Sequence, residues 1–265
     1  MSVKAIAIHS SRGGTGKTVI ATNLAAILAN QGLNVALLDL DFRAPSLATV
    51  FSEAIRIPVK YWLNDFLNGK CDAEQTLIGV SEKYNLKGRL LIGLANPDIT
   101  AVRNIIEKSR AWEVTAVKRL FSLLSTLGKM KVDFCISDTS PGVQYSSINA
   151  IASSDLSVII TTLDSLDLKG TEDMLVELYD ALDKEAVVLL NKFSPETRIK
   201  PNEKNDKLTN KQEKILKHQI IGVIPCYCDV LQTERTDILS IEKPNHPFAK
   251  DLAKIAEKLV ATKTD

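Results

Sequence analysis

Ser11-Arg12-Gly13-Gly14-Thr15-Gly16-Lys17-Thr18 decides the fold of this 265-residue chain. An apolar run, Val3-Lys4-Ala5-Ile6-Ala7-Ile8-His9, precedes it, and a helical pattern from Val19 to about Asn30 follows. A strand, a glycine-rich loop and a helix N-terminus, in that order, form a phosphate cradle. Glycines let the backbone curl until successive N–H groups face one anion, and the helix dipole adds partial positive charge. In such a cradle Gly13, Gly14, Thr15 and Gly16 supply backbone contacts and Lys17 reaches the β- and γ-phosphates. The Thr18 hydroxyl sits on Mg²⁺, and Val19 closes the binding turn.

The ordinary phosphate-loop pattern, G-x-x-x-x-G-K-[ST], requires a glycine where this chain has Ser11. What stands here is basic-Gly-Gly-x-Gly-Lys-Thr. It resembles the deviant Walker A motif of the MinD/ParA/Mrp family of dimerising ATPases. That resemblance implies ATP and Mg²⁺ as ligands and a P-loop NTPase fold of the MinD type. The family's signature lysine is replaced by Arg12, and Val19 stands where Thr or Ser is common. By resemblance, Arg12 crosses an ATP-dependent homodimer to the other subunit's phosphates. Arginine keeps the charge but presents a planar fork, so it either bridges phosphates in trans or stays in cis and weakens the sandwich.

Composition sets outer bounds. Hydrophobic residues make up 45% and charged residues 25%, ordinary for a globular protein, and the net charge is +1. Any nucleic-acid contact must therefore come from a local patch. No apolar run approaches the roughly 20 residues of a membrane span. The N-terminus runs straight into a strand without a leader pattern, which predicts a cytoplasmic protein. The four cysteines form no secreted disulfide framework: Cys71 stands alone, Cys135 lies mid-strand, and Cys226 and Cys228 make a C-x-C pair.

Apolar runs alternate with helical patterns along the chain. Strands are expected at about 3–9, 35–40, 89–94, 132–138, 156–162, 186–190 and 220–224. Helices are expected near 18–30, 59–67, 99–108, 113–128, 145–152, 168–182, 209–217 and 248–260. Several strands are continuous apolar runs, as when both sheet faces are covered. The pattern predicts one α/β domain over residues 1–265: a doubly wound, mainly parallel sheet with helices on both faces.

Acidic strand ends extend the site. Strand two closes in Leu37-Leu38-Asp39-Leu40-Asp41, one strand from the loop. The family's D-x-D implies that Asp41 orients the attacking water and that Asp39 supports the metal; a strand-end cap is the plainer alternative. The run Val132 to Ser137 leads into Asp138-Thr139-Ser140-Pro141-Gly142. An aspartate after four apolar positions resembles a Walker B carboxylate for Mg²⁺. The Pro-Gly turn can bring the Gly142 N–H to the γ-phosphate, which makes 139–145 a natural second switch. Asp164 inherits the family's acid that approaches the partner's nucleotide, with Asp167 and a helix cap as rival readings. Asn191 ends the family's adenine-reading strand, where an amide suits the base edge; Pro225 and Cys226 form the adjoining wall.

The cellular task stays open at this level. A ParA-like partition switch would bind DNA nonspecifically through the basic 192–217 segment, which carries Lys192, Arg198, Lys200, Lys204, Lys207, Lys211, Lys214 and Lys217; a solvated surface balanced by Glu196, Glu203, Asp206 and Glu213 is the plainer alternative. A MinD-like switch for division-site placement would need a membrane-binding C-terminal helix, yet Phe248, Leu252, Ile255, Ala256 and Leu259 form an inward stripe, so membrane anchoring is not expected. A regulatory partner protein is expected in either case. Two alternatives remain: a metal or metal-cluster carrier using Cys226 and Cys228, against plain base-pocket packing, and a low-turnover nucleotide-binding scaffold.

Overall fold

The computed structural model describes residues 3–55, 57–193, 204–232 and 238–262. Six of the expected strands, β1 (Lys4–His9), β2 (Val35–Leu40), β5 (Phe134–Thr139), β6 (Leu156–Thr161), β7 (Ala186–Phe193) and β8 (Ile220–Pro225), run parallel with β4 (Leu90–Gly93) in one sheet. The eighth strand, β3 (Leu77–Gly79), lies antiparallel on the edge beside β4. The order is β3-β4-β2-β5-β1-β6-β7-β8. The central strands β1 and β2 are buried almost throughout, the result of continuous apolar sequence between two helical layers. The eight-stranded, mainly parallel sheet with helices on both faces is the doubly wound fold expected.

On one face lie α1 (Lys17–Asn30), α10 (Leu239–Glu242) and α11 (Pro247–Ala261), sealing a core with Ile6, Ile8, Leu37 and Ile136. The α11 stripe is buried as its spacing predicts: Phe248, Leu252, Ile255, Ala256 and Leu259 all face the core. On the other face α3 (Leu63–Leu67), α5 (Arg110–Lys129) and α6 (Tyr145–Ser153) cover Ala5, Leu38, Leu40 and Cys135. A third cluster, around Tyr179 and Leu190, packs α7 (Ser165–Met174), its six-residue π-helical continuation (Leu175–Asp180) and α8 (Lys204–Leu216).

Boundaries moved for local reasons. The helix expected from 168 starts at Ser165 because the Asp164 carboxylate caps it, accepting from the N–H groups of Leu166 and Asp167. The helix expected from 59 starts at Leu63, because Pro58 and an extended Trp62 hold the preceding chain open. The short helices α2 (Leu47–Val50), α4 (Ile99–Ile106) and α9 (Cys228–Gln232) complete the described elements, with a 3₁₀ turn at Ala73–Thr76. Only α4 was expected. The three-residue β3 and the four- and five-residue helices are too short to print a period.

Candidate active site

The loop between β1 and α1 lies at the C-terminal edge of the central strands, flanked by β5 and β6. In open parallel sheets this crevice is where ligands sit. Gly14 and Gly16 take φ of +80° and +102°, which L-residues with a Cβ resist. A Cβ at Gly16 would also come within 2.5 Å of the Asn191 amide nitrogen, so glycine is required there twice over. Arg12, Gly13 and Gly14 are exposed, whereas Thr15 and Lys17 are buried. Among the described residues the Arg12 side chain has no hydrogen-bonding partner.

Lys17 donates its ammonium to Ser10 Oγ at 2.9 Å. Burial lowers its pKa, although Asp138, Asp41 and Asp167 pull the other way. An ammonium so buried, held by one neutral hydroxyl, is poised for an anion. Thr18 donates its hydroxyl to Asp138 Oδ2 at 2.6 Å, and the other carboxylate oxygen of Asp138 is buried with no partner among the described residues. Burial pushes the Asp138 pKa up to about 7, against the opposing pull of the Thr18 hydrogen bond and Lys17. An orphaned buried carboxylate oxygen beside a threonine hydroxyl fits a hard cation such as Mg²⁺. The sequence placed Thr18 and Asp138 there, and the fold brings them together.

Asp39, expected to support the metal or to cap the strand end, has both oxygens engaged by the backbone. It pairs in register with Asp138 across β2 and β5, and both its oxygens accept from backbone N–H groups. Oδ1 takes Asp41 N at 3.2 Å, and Oδ2 takes Ser46 N and Leu47 N at 3.0 Å each. It therefore anchors the loop after β2. Burial first, and the nearby Asp138 charge second, raise its pKa well above the usual carboxylate range.

Asp41 joins that loop to the one after β5. Its Oδ1 accepts from Ser140 Oγ at 2.6 Å and from the N–H groups of Arg43 and Ala44, leaving Oδ2 without a partner among the described residues. Gly142, expected to offer its N–H to a phosphate, donates it instead to the Ser10 carbonyl at 2.8 Å. Its φ is +71°. Val19 is exposed at the first turn of α1.

Asn191 is buried, and its amide donates to the Thr15 carbonyl at 2.7 Å, so it buttresses the phosphate loop from β7. Lys192 likewise donates to the Gly14 carbonyl at 2.7 Å, which joins it to this loop rather than to a basic patch. Pro225 pairs with Phe193 at the ends of β8 and β7, and Cys226 N donates to the Phe193 carbonyl. Cys226 is half-buried and Cys228 exposed at the start of α9. Among the described residues no three metal-ligating side chains cluster. Asp164 serves as the α7 cap. Of the basic segment, residues 194–203, which include Arg198 and Lys200, and the side chains of Lys204 and Lys207 lie outside the described residues; Lys211, Lys214 and Lys217 are exposed on or just past α8.

Sequence reasoning missed a second brace on the loop. Ser11 donates to Asp167 Oδ1 at 3.0 Å, Asp167 Oδ2 accepts from Thr162 N, and Thr171 stands 3.3 Å from Ser11 Oγ. The serine that broke the ordinary glycine pattern is thus the link between the loop and α7. Asp167 carried a signal, as a second acid after β6, and Ser11 as the break in the glycine pattern; their pairing across 156 positions carried none.

Comparison with known proteins agrees with this geometry. A family model described as the CobQ/CobB/MinD/ParA nucleotide binding domain matches residues 6–237. The septum site-determining protein MinD of Thermotoga maritima is 26% identical over 257 residues, covering 96% of this chain and 87% of that protein. Among solved structures, MinD of Pyrococcus horikoshii complexed with Mg-ADP aligns with a TM-score of 0.75 at 22% identity, covering 98% of each chain. A plasmid partition protein of Borrelia burgdorferi bound to AMPPNP also aligns at 0.75 and 22% identity, covering 99% of this chain and 100% of that one. No described helix is long and apolar enough to cross a membrane.

Proposed function

The chain belongs to the CobQ/CobB/MinD/ParA nucleotide-binding family, and on that footing we propose that it is an Mg²⁺-dependent ATPase whose ATP-bound form is a homodimer. The observation that carries the reading is the pairing of an under-compensated buried Lys17 with the orphaned oxygen of Asp138 across the Thr18 hydroxyl. One side of the site lacks an anion and the other lacks a cation. Mg-nucleotide supplies both.

In this reading the loop from Gly13 to Thr18 cradles the phosphates, and Lys17 exchanges Ser10 Oγ for phosphate oxygens. Thr18 and Asp138 hold the metal, whose charge offsets that of the phosphates. The open Oδ2 of Asp41 orients water for attack on the γ-phosphate. Because Asp41 also holds Ser140, loss of the γ-phosphate loosens both switch loops together. Arg12, exposed and unpartnered among the described residues, reaches the second subunit's phosphates. Pro225 and Cys226 line the base pocket, and Asn191 reads the adenine edge once its hold on Thr15 is exchanged.

For the cellular role, the relatives' names favour positioning: septum site determination and plasmid partition. Exposed Lys211, Lys214 and Lys217 support nonspecific DNA binding by the dimer, with a regulatory partner protein setting turnover. The buried stripe of α11 argues against that helix as a membrane-binding element. The test is single-turnover hydrolysis with Mg-ATP. Asp41→Asn should retain nucleotide while turnover falls about 100-fold or more, the size expected when a positioned catalytic group is lost. Wild-type-like turnover in that variant would remove Asp41 from the chemistry.

A further inference from the structure

His9 closes β1 wholly buried, and each ring nitrogen meets one partner. Nδ1 lies 2.8 Å from the Tyr179 hydroxyl and Nε2 lies 3.0 Å from the Gly142 carbonyl oxygen. A carbonyl can only accept, so Nε2 carries the hydrogen. Burial, with Lys17 adding to it, lowers the ring's pKa to about 4 despite the Gly142 bond, so the imidazole is neutral near pH 7. Nδ1 is then an acceptor, and the Tyr179 hydroxyl donates to it. The relay has one direction: Tyr179 O–H to His9 Nδ1, then His9 Nε2–H to Gly142 O.

Its endpoint is the hinge of the second switch loop. The N–H of Gly142, bonded to the Ser10 carbonyl, belongs to the peptide plane shared with Pro141. Its carbonyl, bonded to His9 and to Gln144 N at 3.1 Å, belongs to the plane shared with Val143. Glycine at φ +71° joins the two planes and has the freedom to let one turn while the other stays. Tyr179 itself sits in the π-helical stretch after α7, a geometry concentrated at functional sites.

We propose that His9, its tautomer set by Tyr179, is a positioning residue that clamps the 142–143 peptide as the fixed pivot of the second switch while the 141–142 peptide exchanges the Ser10 carbonyl for a phosphate. This rests on the ATPase reading above. His9 touches no reacting atom, and its effect is on where the Gly142 N–H points.

The test uses Tyr179→Phe, which removes the hydroxyl alone, on the full chain. Three readouts are taken: imidazole ¹⁵N shifts, amide exchange at Gly142 and Gln144, and turnover against Mg-ADP affinity. In the wild type, His9 should be a single neutral Nε2–H tautomer. In the variant, both amides should exchange about three- to tenfold faster and kcat should fall by a similar factor, the scale of one net hydrogen bond. Mg-ADP affinity should stay within about twofold, because the clamp does not hold the phosphate loop. Wild-type exchange rates and kcat in a folded variant would overturn the proposal. So would an Nδ1–H or protonated His9 in the wild type, a result that needs no variant to fold. If the wild type hydrolyses no ATP, the ATPase reading falls, yet the tautomer and exchange data still decide the clamp.

Discussion

Replacing Asp138 with Asn should stabilise the nucleotide-free protein, and by more at alkaline than at acid pH. The carboxyl is 1% exposed, and burial pushes its pKa from the ordinary 3.8 up to about 7. Between those two values the folded state binds a proton that the unfolded state has released. Stability from this group therefore falls as pH rises through the window, and is lost in full above about 7. At about 1.36 kcal/mol per unit, the interval from pH 5 to pH 7 amounts to about 2.7 kcal/mol. The amide does not titrate, so the advantage of Asp138→Asn over wild type should grow by about that amount from pH 5 to pH 8. Urea unfolding of both proteins at the two pH values measures it. Mg-ADP at 100 times its Kd should narrow that advantage at pH 8 by about 2.7 kcal/mol, the amount such a ligand adds to the protein that binds it. An advantage that is the same at pH 5 and pH 8 would refute the buried, metal-ready carboxylate.

Three further substitutions probe the loop. Gly16→Ala places a Cβ 2.5 Å from the Asn191 amide at a φ of +102°, and should cost about 1–3 kcal/mol in chemical unfolding. Adding Asn191→Ala should recover the steric share, so that the double mutant is less destabilised than the sum; strict additivity would show that the two residues do not meet. Arg12→Ala should leave single-site Mg-ADP affinity within about twofold, because the side chain is exposed and unpartnered among the described residues. It should lower ATP turnover by about 10³-fold, the lower range for an arginine supplied across an interface. Isothermal titration and turnover assays separate the two effects, and equal losses in both would place Arg12 in its own subunit's site.

The fold was legible because its strands are continuous apolar runs and its loop is chemically unusual. Seven strands and the α1, α5, α6 and α11 helices follow from those runs. The edge strand β3 escaped, since three residues carry no period. Within the site, Lys17 and Thr18 stand out in the glycine-rich loop that opens α1, and Asp41 and Asp138 as acids at strand ends. Asp39 did too, yet its use as a loop anchor depends on backbone N–H groups seven and eight positions on, whose placement only the fold supplies. Ser11 with Asp167, and His9 with Tyr179, are pairings across more than 150 residues. A histidine ending a buried strand gives no local hint of its partners, because they come from other strands' loops and helices.

The central claim is that ATP, and not ADP, joins two copies of this chain. The most direct measurement is molecular mass in solution by light scattering with Mg-ATP, with Mg-ADP, and with Mg-ATP for Lys17→Ala, using Asp41→Asn to hold the ATP state. The account predicts twice the 29.1 kDa chain mass for Asp41→Asn with Mg-ATP, and the single-chain mass with Mg-ADP and for Lys17→Ala. One mass under all three conditions would contradict it.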